Sequence, residues 1–189
     1  MGGGARHTNR CANQSNGHGG RPIPFTPFHF GPGLLVKACG PRYFWLSSFV
    51  TANVLIDIEV LYYLRRHEPP IHRYLHTYVG GIAMGLLAGL LIFGIVQVSR
   101  RIGPARWLWV RRLELTPRCR LLSQSLVAGT IGGVSHILLD SFMHHDMNPL
   151  WPVIEGNALA GAIGVPILHI GLALTGVFGL VLWLLLRES

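Results

Sequence analysis

Four stretches of this chain, roughly Tyr43–Leu64, Leu75–Val98, Leu121–Met143 and Ile163–Leu186, stay predominantly apolar for more than twenty residues each. A helix needs about 20 such residues to cross the hydrocarbon of a bilayer. The composition agrees: 50% of residues are hydrophobic and 13% charged, against roughly a quarter charged in ordinary soluble domains. The expected fold is therefore all-α, an integral membrane bundle of four transmembrane helices, in one membrane-embedded domain over residues 25–189. A formal net charge of +8 on a soluble protein would suggest nucleic acid, but here the basic residues sit between apolar runs. That is the pattern of basic membrane loops, and no nucleic-acid partner is expected. The cysteines, Cys11, Cys39 and Cys119, are odd in number and scattered, so they form neither a disulfide framework nor a metal knuckle. A soluble enzyme, a DNA-binding domain and a secreted cysteine-rich module are excluded.

A fifth apolar piece, Phe30–Cys39, begins with Gly31-Pro32 and stops at Gly40-Pro41. At ~1.5 Å per residue it covers only about half the hydrocarbon thickness, which predicts a short re-entrant or interfacial half-helix. The second span carries Gly81, Gly85 and Gly89, a spacing that keeps small residues on one face and permits close backbone approach. Residues 1–24 are rich in Gly, Asn, His and Arg, carry no signal-peptide stretch and are expected to be disordered.

Orientation follows from the basic residues. The loop between spans two and three holds Arg100, Arg101, Arg106, Arg111, Arg112, Arg118 and Arg120, and with the N-terminal flank and Arg187 this makes thirteen of the sixteen basic residues. Only Arg65, Arg66 and Arg73 fall on the other side. The positive-inside rule then places both termini in the cytoplasm, and the expected location is the inner (cytoplasmic) membrane of a bacterium.

Ionisable groups inside spans are costly unless paired, ligated or hydrated, which makes each a functional candidate. Asp57 and Glu59 lie near the end of the first span, His76 at the start of the second, and His136 and Asp140 in the third, with His144 and His145 just beyond. With the expected topology all fall in the outer half of the membrane or at its outer surface. His136, Asp140 and His144 are spaced by four, as are His72 and His76. On a helix that spacing lets two side chains grip one metal ion. Asp57 and Glu59, two apart, point about 160° from one another on a helix, so Asp57 alone is expected to be a firm ligand. The set Asp57, His76, His136 and Asp140 is read as a metal or catalytic site; a proton relay or a structural network are the other readings. His169, with no carboxylate near it in sequence, is read as hydrogen-bonded to a neighbour, and His7, His18 and His67 as solvated.

The segments IPFTPFHFGPG, ANVLIDIE, HRYLHT and SHILLDSFMH, within residues 22–146, resemble the YdjM-like group of membrane proteins, held to be metal-dependent hydrolases. That resemblance implies that His29, Asp57, Glu59, His76, His136 and Asp140 lie at the site, with His144 as an outer member. Two motifs depart from the group's pattern: IDIE replaces a Pro-Asp opening, and LHT replaces THS at His76. To reach Asp57, His29 has to sit well inside the membrane, so the half-helix has to re-enter from the cytoplasmic side.

The expected function is thus a membrane-bound, metal-dependent hydrolase acting on an amphiphilic, lipid-like substrate. His and carboxylate ligands suit Zn²⁺, Mn²⁺ or Fe²⁺. Glu59 is expected to take the proton of an activated water, and Arg73 to hold an anionic group of the substrate. The rival readings are a transporter, in which the cluster is a station for metal or protons, and a scaffold, in which it fixes helix register. The orientation is directly testable: a reporter fused after Arg112 is expected to read cytoplasmic, and an extracytoplasmic signal would overturn both the topology and the outer position of the site.

Overall fold

The computed structural model describes residues 26–40, 44–102 and 117–187, which form helices joined by turns. A single 3₁₀ turn, Thr26–His29, leads into α1, Phe30–Cys39. The long helices follow: α2, Leu46–Arg66; α3, Tyr78–Ile102; α4, Arg118–Met143; and α5, Val165–Arg187. All four are long and apolar enough to cross a membrane, and α1 is the shorter apolar helix expected before them. The chain is an all-helical integral membrane protein. The N-terminal tail and Arg106, Arg111 and Arg112 of the basic loop lie outside the described residues.

One boundary differs from expectation in a way that matters for the site. The third helix in chain order starts at Tyr78, and Leu75 and His76 belong to the turn before it. Thr77 sets this boundary: its Oγ1 accepts the N–H of Gly80 at 3.0 Å and donates to the carbonyl of Tyr74 at 2.9 Å. A threonine that caps the first free N–H groups in this way starts a helix. His72 and His76 are therefore not on one helix face, and their spacing has a different meaning from the one expected.

Helices in lipid gain little from hydrophobic burial against each other, so they associate by close van der Waals contact at small residues. The stripe of α3 behaves in this way. A Cβ on Gly85 would lie 2.5 Å from the carbonyl oxygen of Gly129, one on Gly89 2.7 Å from that of Ser125, and one on Gly81 2.9 Å from that of Gly133. The neighbouring face of α4 uses Gly132 to meet α2, where a Cβ would stand 2.7 Å from the carbonyl oxygen of Phe49. Three backbones, α2, α3 and α4, thus touch without intervening side chains. Helix α1 packs chiefly on α5, with Gly31 against the carbonyl of Leu172 and Gly179 against the backbone of Leu35. Ile58, Leu61, Val79, Ile95, Ile167 and Leu185 face outward, as a hydrocarbon solvent requires. Ile56, Ile137 and Met147 form a small apolar cluster with Leu75, Tyr78 and Met84 packed on it.

These contacts give a matched pair of substitutions. Gly129→Ala puts a methyl into the carbonyl of Gly85 and is expected to cost about 1–3 kcal/mol, as overpacking does. Gly94→Ala meets nothing within 4 Å and is expected to be neutral or stabilising by up to about 1 kcal/mol. Thermal melts in detergent check this, and an equal response of the two variants would contradict the close α3–α4 contact.

Candidate metal centre

The inward face of α4 changes character along its length. Ala128, Gly129, Gly132 and Gly133 are followed on the same buried face by His136, Ile137 and Asp140. The small residues draw α2 and α3 close, and the two polar side chains then project into the space near the end of the bundle where α2 finishes and α3 begins. From α2, Asp57 reaches the same space, and from the turn before α3 so does His76. One ligand atom from each of Asp57, His76, His136 and Asp140 lies within 4.8 Å of every other. The structure brings together all four residues that the sequence analysis singled out.

The distances bracket those expected of ligand atoms around one shared cation. His136 Nε2 is 3.2 Å from Asp57 Oδ1 and 3.2 Å from Asp140 Oδ2, while His76 Nε2 is 3.9 and 3.7 Å from the same two atoms. Ligand atoms about 2.0–2.2 Å from one tetrahedral ion stand roughly 3.3–3.6 Å from each other. Both Nε2 atoms are buried and neither has a hydrogen-bond partner. Such atoms are rare in a folded interior because each loses its hydration without compensation.

The other nitrogen of each ring is held. His76 Nδ1 donates to Glu59 Oε2 at 3.0 Å, which leaves Nε2 facing the cluster. His136 Nδ1 stands 3.0 Å from Asn53 Oδ1, and Asn53 Nδ2 donates to the carbonyl of Phe49 at 2.8 Å. That second bond fixes the amide with its oxygen toward His136, so His136 Nδ1 carries a proton and Nε2 is turned to the two carboxylates. This is the usual outer support of a metal-binding histidine, in which a carboxylate or carbonyl group sets the tautomer and the ring orientation.

Two residues are placed differently from the roles expected of them. Glu59 accepts the backbone N–H groups of Arg73, Tyr74 and Leu75 as well as His76 Nδ1. Both of its oxygens are committed to the loop, so it holds His76 in place where the expectation was a free proton acceptor. The side chain of Arg73 bends back over its own loop, donating to the carbonyls of Pro70 and Glu68 and lying 3.8 Å from the ring centre of Tyr63. Its guanidinium anchors the turn, where the expectation was a substrate contact.

His29 does reach the cluster. It is buried, its Nε2 is 3.0 Å from Asp140 Oδ1, and its ring centre is 4.6 Å from that of His136. Neither of its ring nitrogens is aligned for a hydrogen bond. A half-helix that starts directly after His29 leaves this ring beside Asp140. His169, by contrast, stacks on Phe28 with ring centres 4.7 Å apart, and His67 is exposed at the left-handed end of α2.

A second group adjoins the first. Ligand atoms of His72, Asp140 and His144 also lie within 4.8 Å of one another. His72 Nδ1 donates to Asp146 Oδ1 at 2.9 Å, and Asp146 Oδ2 accepts the N–H of Ile71 at 3.3 Å. Burial alone would raise Asp146, but the hydrogen bond and charge of His72 outweigh it and hold the carboxyl at about 2. Burial pushes His144 down to about 4, against the opposing pull of Asp140, so its ring is neutral at pH 7. Sequence reasoning missed Asn53, Asp146 and the membership of His72. Asn53 had a signal, since it sits one helical turn before Asp57 on the same face of α2.

Fold and site together define a polytopic helical membrane protein with a buried His/Asp cluster. Residues 23–189 match the family model DUF4184, a domain of unknown function, and the chain belongs to that family. No curated protein and no solved structure matches it.

The outer support generates a test. Asn53→Ala removes the acceptor for His136 Nδ1 without touching a ligand atom and is expected to weaken metal affinity 10–100-fold, the usual range for a supporting residue. Titration of the metal-stripped protein with Zn²⁺ measures this, and unchanged affinity would contradict the assigned orientation of His136.

Proposed function

We propose that this protein is a membrane-bound, metal-dependent hydrolase whose centre holds a divalent ion, Zn²⁺, Mn²⁺ or Fe²⁺, between Asp57, His76, His136 and Asp140. The observation that carries the reading is the convergence of two buried Nε2 atoms, neither aligned for a hydrogen bond, on two carboxylates. Two carboxylates and neutral imidazoles leave a net negative charge inside a low-dielectric region, which a divalent cation neutralises. The resemblance to YdjM-like membrane proteins supports the reaction class and a site that includes these four residues, together with His29, Glu59 and His144. A bound divalent ion there supplies a Lewis acid and lowers the pKa of a water molecule.

The residues divide the remaining work among them. Glu59 and Asn53 keep His76 and His136 in the tautomer that presents Nε2. Asp57 has 16% of its side chain exposed, against 0–4% for His29, His76, His136 and Asp140, so the centre opens at Asp57 and a substrate meets that carboxylate first. Asp57 precedes the end of α2 by about 13 Å at ~1.5 Å per residue, and Asp140 precedes the end of α4 by about 5 Å. A site at that depth favours an amphiphile whose hydrolysable bond lies near its headgroup, such as a phospholipid or a lipid-linked ester. With the basic loop in the cytoplasm, the centre occupies the outer half of a bacterial cytoplasmic membrane.

Purified protein is expected to contain a transition metal, and His136→Ala or Asp140→Ala to lose the metal and any lipid-ester hydrolysis together. Chelator is expected to lower the melting temperature of the wild type, and Zn²⁺ or Mn²⁺ to restore it, because an ion at 100 times its Kd stabilises the folded state by about 2.7 kcal/mol. Wild-type protein that holds no metal and melts at the same temperature with chelator or added ion would overturn the reading and leave a cluster that fixes helix register.

A further inference from the structure

Asp140 belongs to both ligand groups, and this is the feature of the cluster that a single ion does not account for. Its Oδ2 faces His136 and His76 at 3.2 and 3.7 Å. The same residue also has a carboxylate oxygen within 4.8 Å of ligand atoms of His72 and His144, and its Oδ1 is 3.0 Å from His29 Nε2. His72 is 2% exposed, and its Nε2 is buried with no hydrogen-bond partner, while its Nδ1 is bound to Asp146. That is the arrangement already seen at His76 and His136: one nitrogen tied to an oxygen acceptor, the other bare and turned inward. The ring centres of His72 and His144 are 4.1 Å apart, and those of His72 and His76 are 4.8 Å apart, so the two groups are immediate neighbours.

A histidine clamped only to fix the loop would have no reason to bury its second nitrogen without a partner beside a carboxylate and another imidazole. The backbone also holds these residues in place. The N–H of His144 donates to the carbonyl of Asp140 at 2.9 Å, and the carbonyl of His144 accepts from Asn157 at 2.8 Å. Asp146 joins the loop after α4 to the loop before α3 through His72 and Ile71. Ligands from two loops are thus brought to one carboxylate that already serves the first group.

We propose that the centre is dinuclear: a second divalent ion sits between His72 and His144, and Asp140 bridges it to the first. Carboxylate-bridged pairs place their ions about 3.5–4 Å apart and clamp the two oxygens of a displacement at phosphorus or carbon. The second ion rests on the metal-site reading above, and it narrows the substrate to an ester or phosphoester whose attacking and leaving oxygens each meet one ion.

The test uses the full chain, purified in detergent, stripped with chelator and titrated with Mn²⁺. The wild type is expected to take up two Mn²⁺ per chain and to give the spin-coupled electron paramagnetic resonance signal of a manganese pair. The His72→Ala, His144→Ala double variant is expected to take up one, to show the six-line spectrum of an isolated ion, and to weaken the second binding step at least tenfold. The single variant His144→Gln guards against misfolding of the double one and is expected to weaken the second step alone. A wild type that saturates at one Mn²⁺, with an isolated-ion spectrum and no response to the His72 and His144 variants, would overturn the second site and leave the first standing. Two ions in wild type and double variant alike would also overturn it, since the second ion would lie elsewhere. A wild type that binds no Mn²⁺ and no Zn²⁺ would overturn both sites.

Discussion

The interior of this bundle is organised by the need to neutralise carboxylates away from water. Asp140 is buried at the inner face of α4, and Asp57 approaches it from α2. Taking an ionised carboxylate out of water costs several kcal/mol even after the protein relaxes, so the surrounding helices are arranged around that cost. Imidazoles from α4, from the turn before α3, from the loop after α4 and from the start of the half-helix meet the two carboxylates. The glycines of α3 and α4 make this possible, because only bare backbones let side chains as short as aspartate meet across three helices. Packing and site are in this sense one feature: the contact that holds the bundle together sets the distances within the cluster.

Around the clustered histidines lies a shell of groups whose task is orientation. Glu59 joins three backbone N–H groups of the loop between α2 and α3 to His76, Asn53 fixes His136, and Asp146 fixes His72 while joining the two loops that cover the site. An imidazole can donate or accept at either nitrogen, and each of these partners removes that freedom in the same sense. All three histidines are left with a bare Nε2. The repetition of this device at three places, on different elements, argues for a common ligand more strongly than any one distance does.

The fold was legible from the sequence because a bilayer is a demanding solvent. Runs of more than twenty apolar residues, and a shorter one bounded by Gly40-Pro41, leave little choice of element. Three members of the central cluster were legible for the same reason, since Asp57, His136 and Asp140 are conspicuous in apolar helices. What the sequence did not disclose lies in the loops. His72 and His76 look like neighbours on a helix face, yet Thr77 starts the helix after them, and Glu59 folds the preceding residues around its carboxylate. Glu59 and Arg73 carried the expected catalytic roles because a carboxylate and a guanidinium near a metal-binding motif suggest them. Their actual partners, backbone N–H and C=O groups, follow from a loop path that no periodicity encodes. Asn53 and Asp146 were overlooked because neither belongs to the cluster itself, although each orients a histidine that does.

The central claim is that buried imidazoles and carboxylates converge on metal, and the immediate surroundings of a bound ion test it most directly. X-ray absorption at the zinc edge of the Zn²⁺-loaded protein in detergent is expected to give a first shell of nitrogen and oxygen at about 2.0–2.2 Å, with the multiple-scattering pattern of coordinated imidazole, and to lose that pattern in the His76→Ala, His136→Ala variant. A shell of oxygen alone, with no imidazole signature and no change in the variant, would mean that the ion sits elsewhere and that the cluster is not its site.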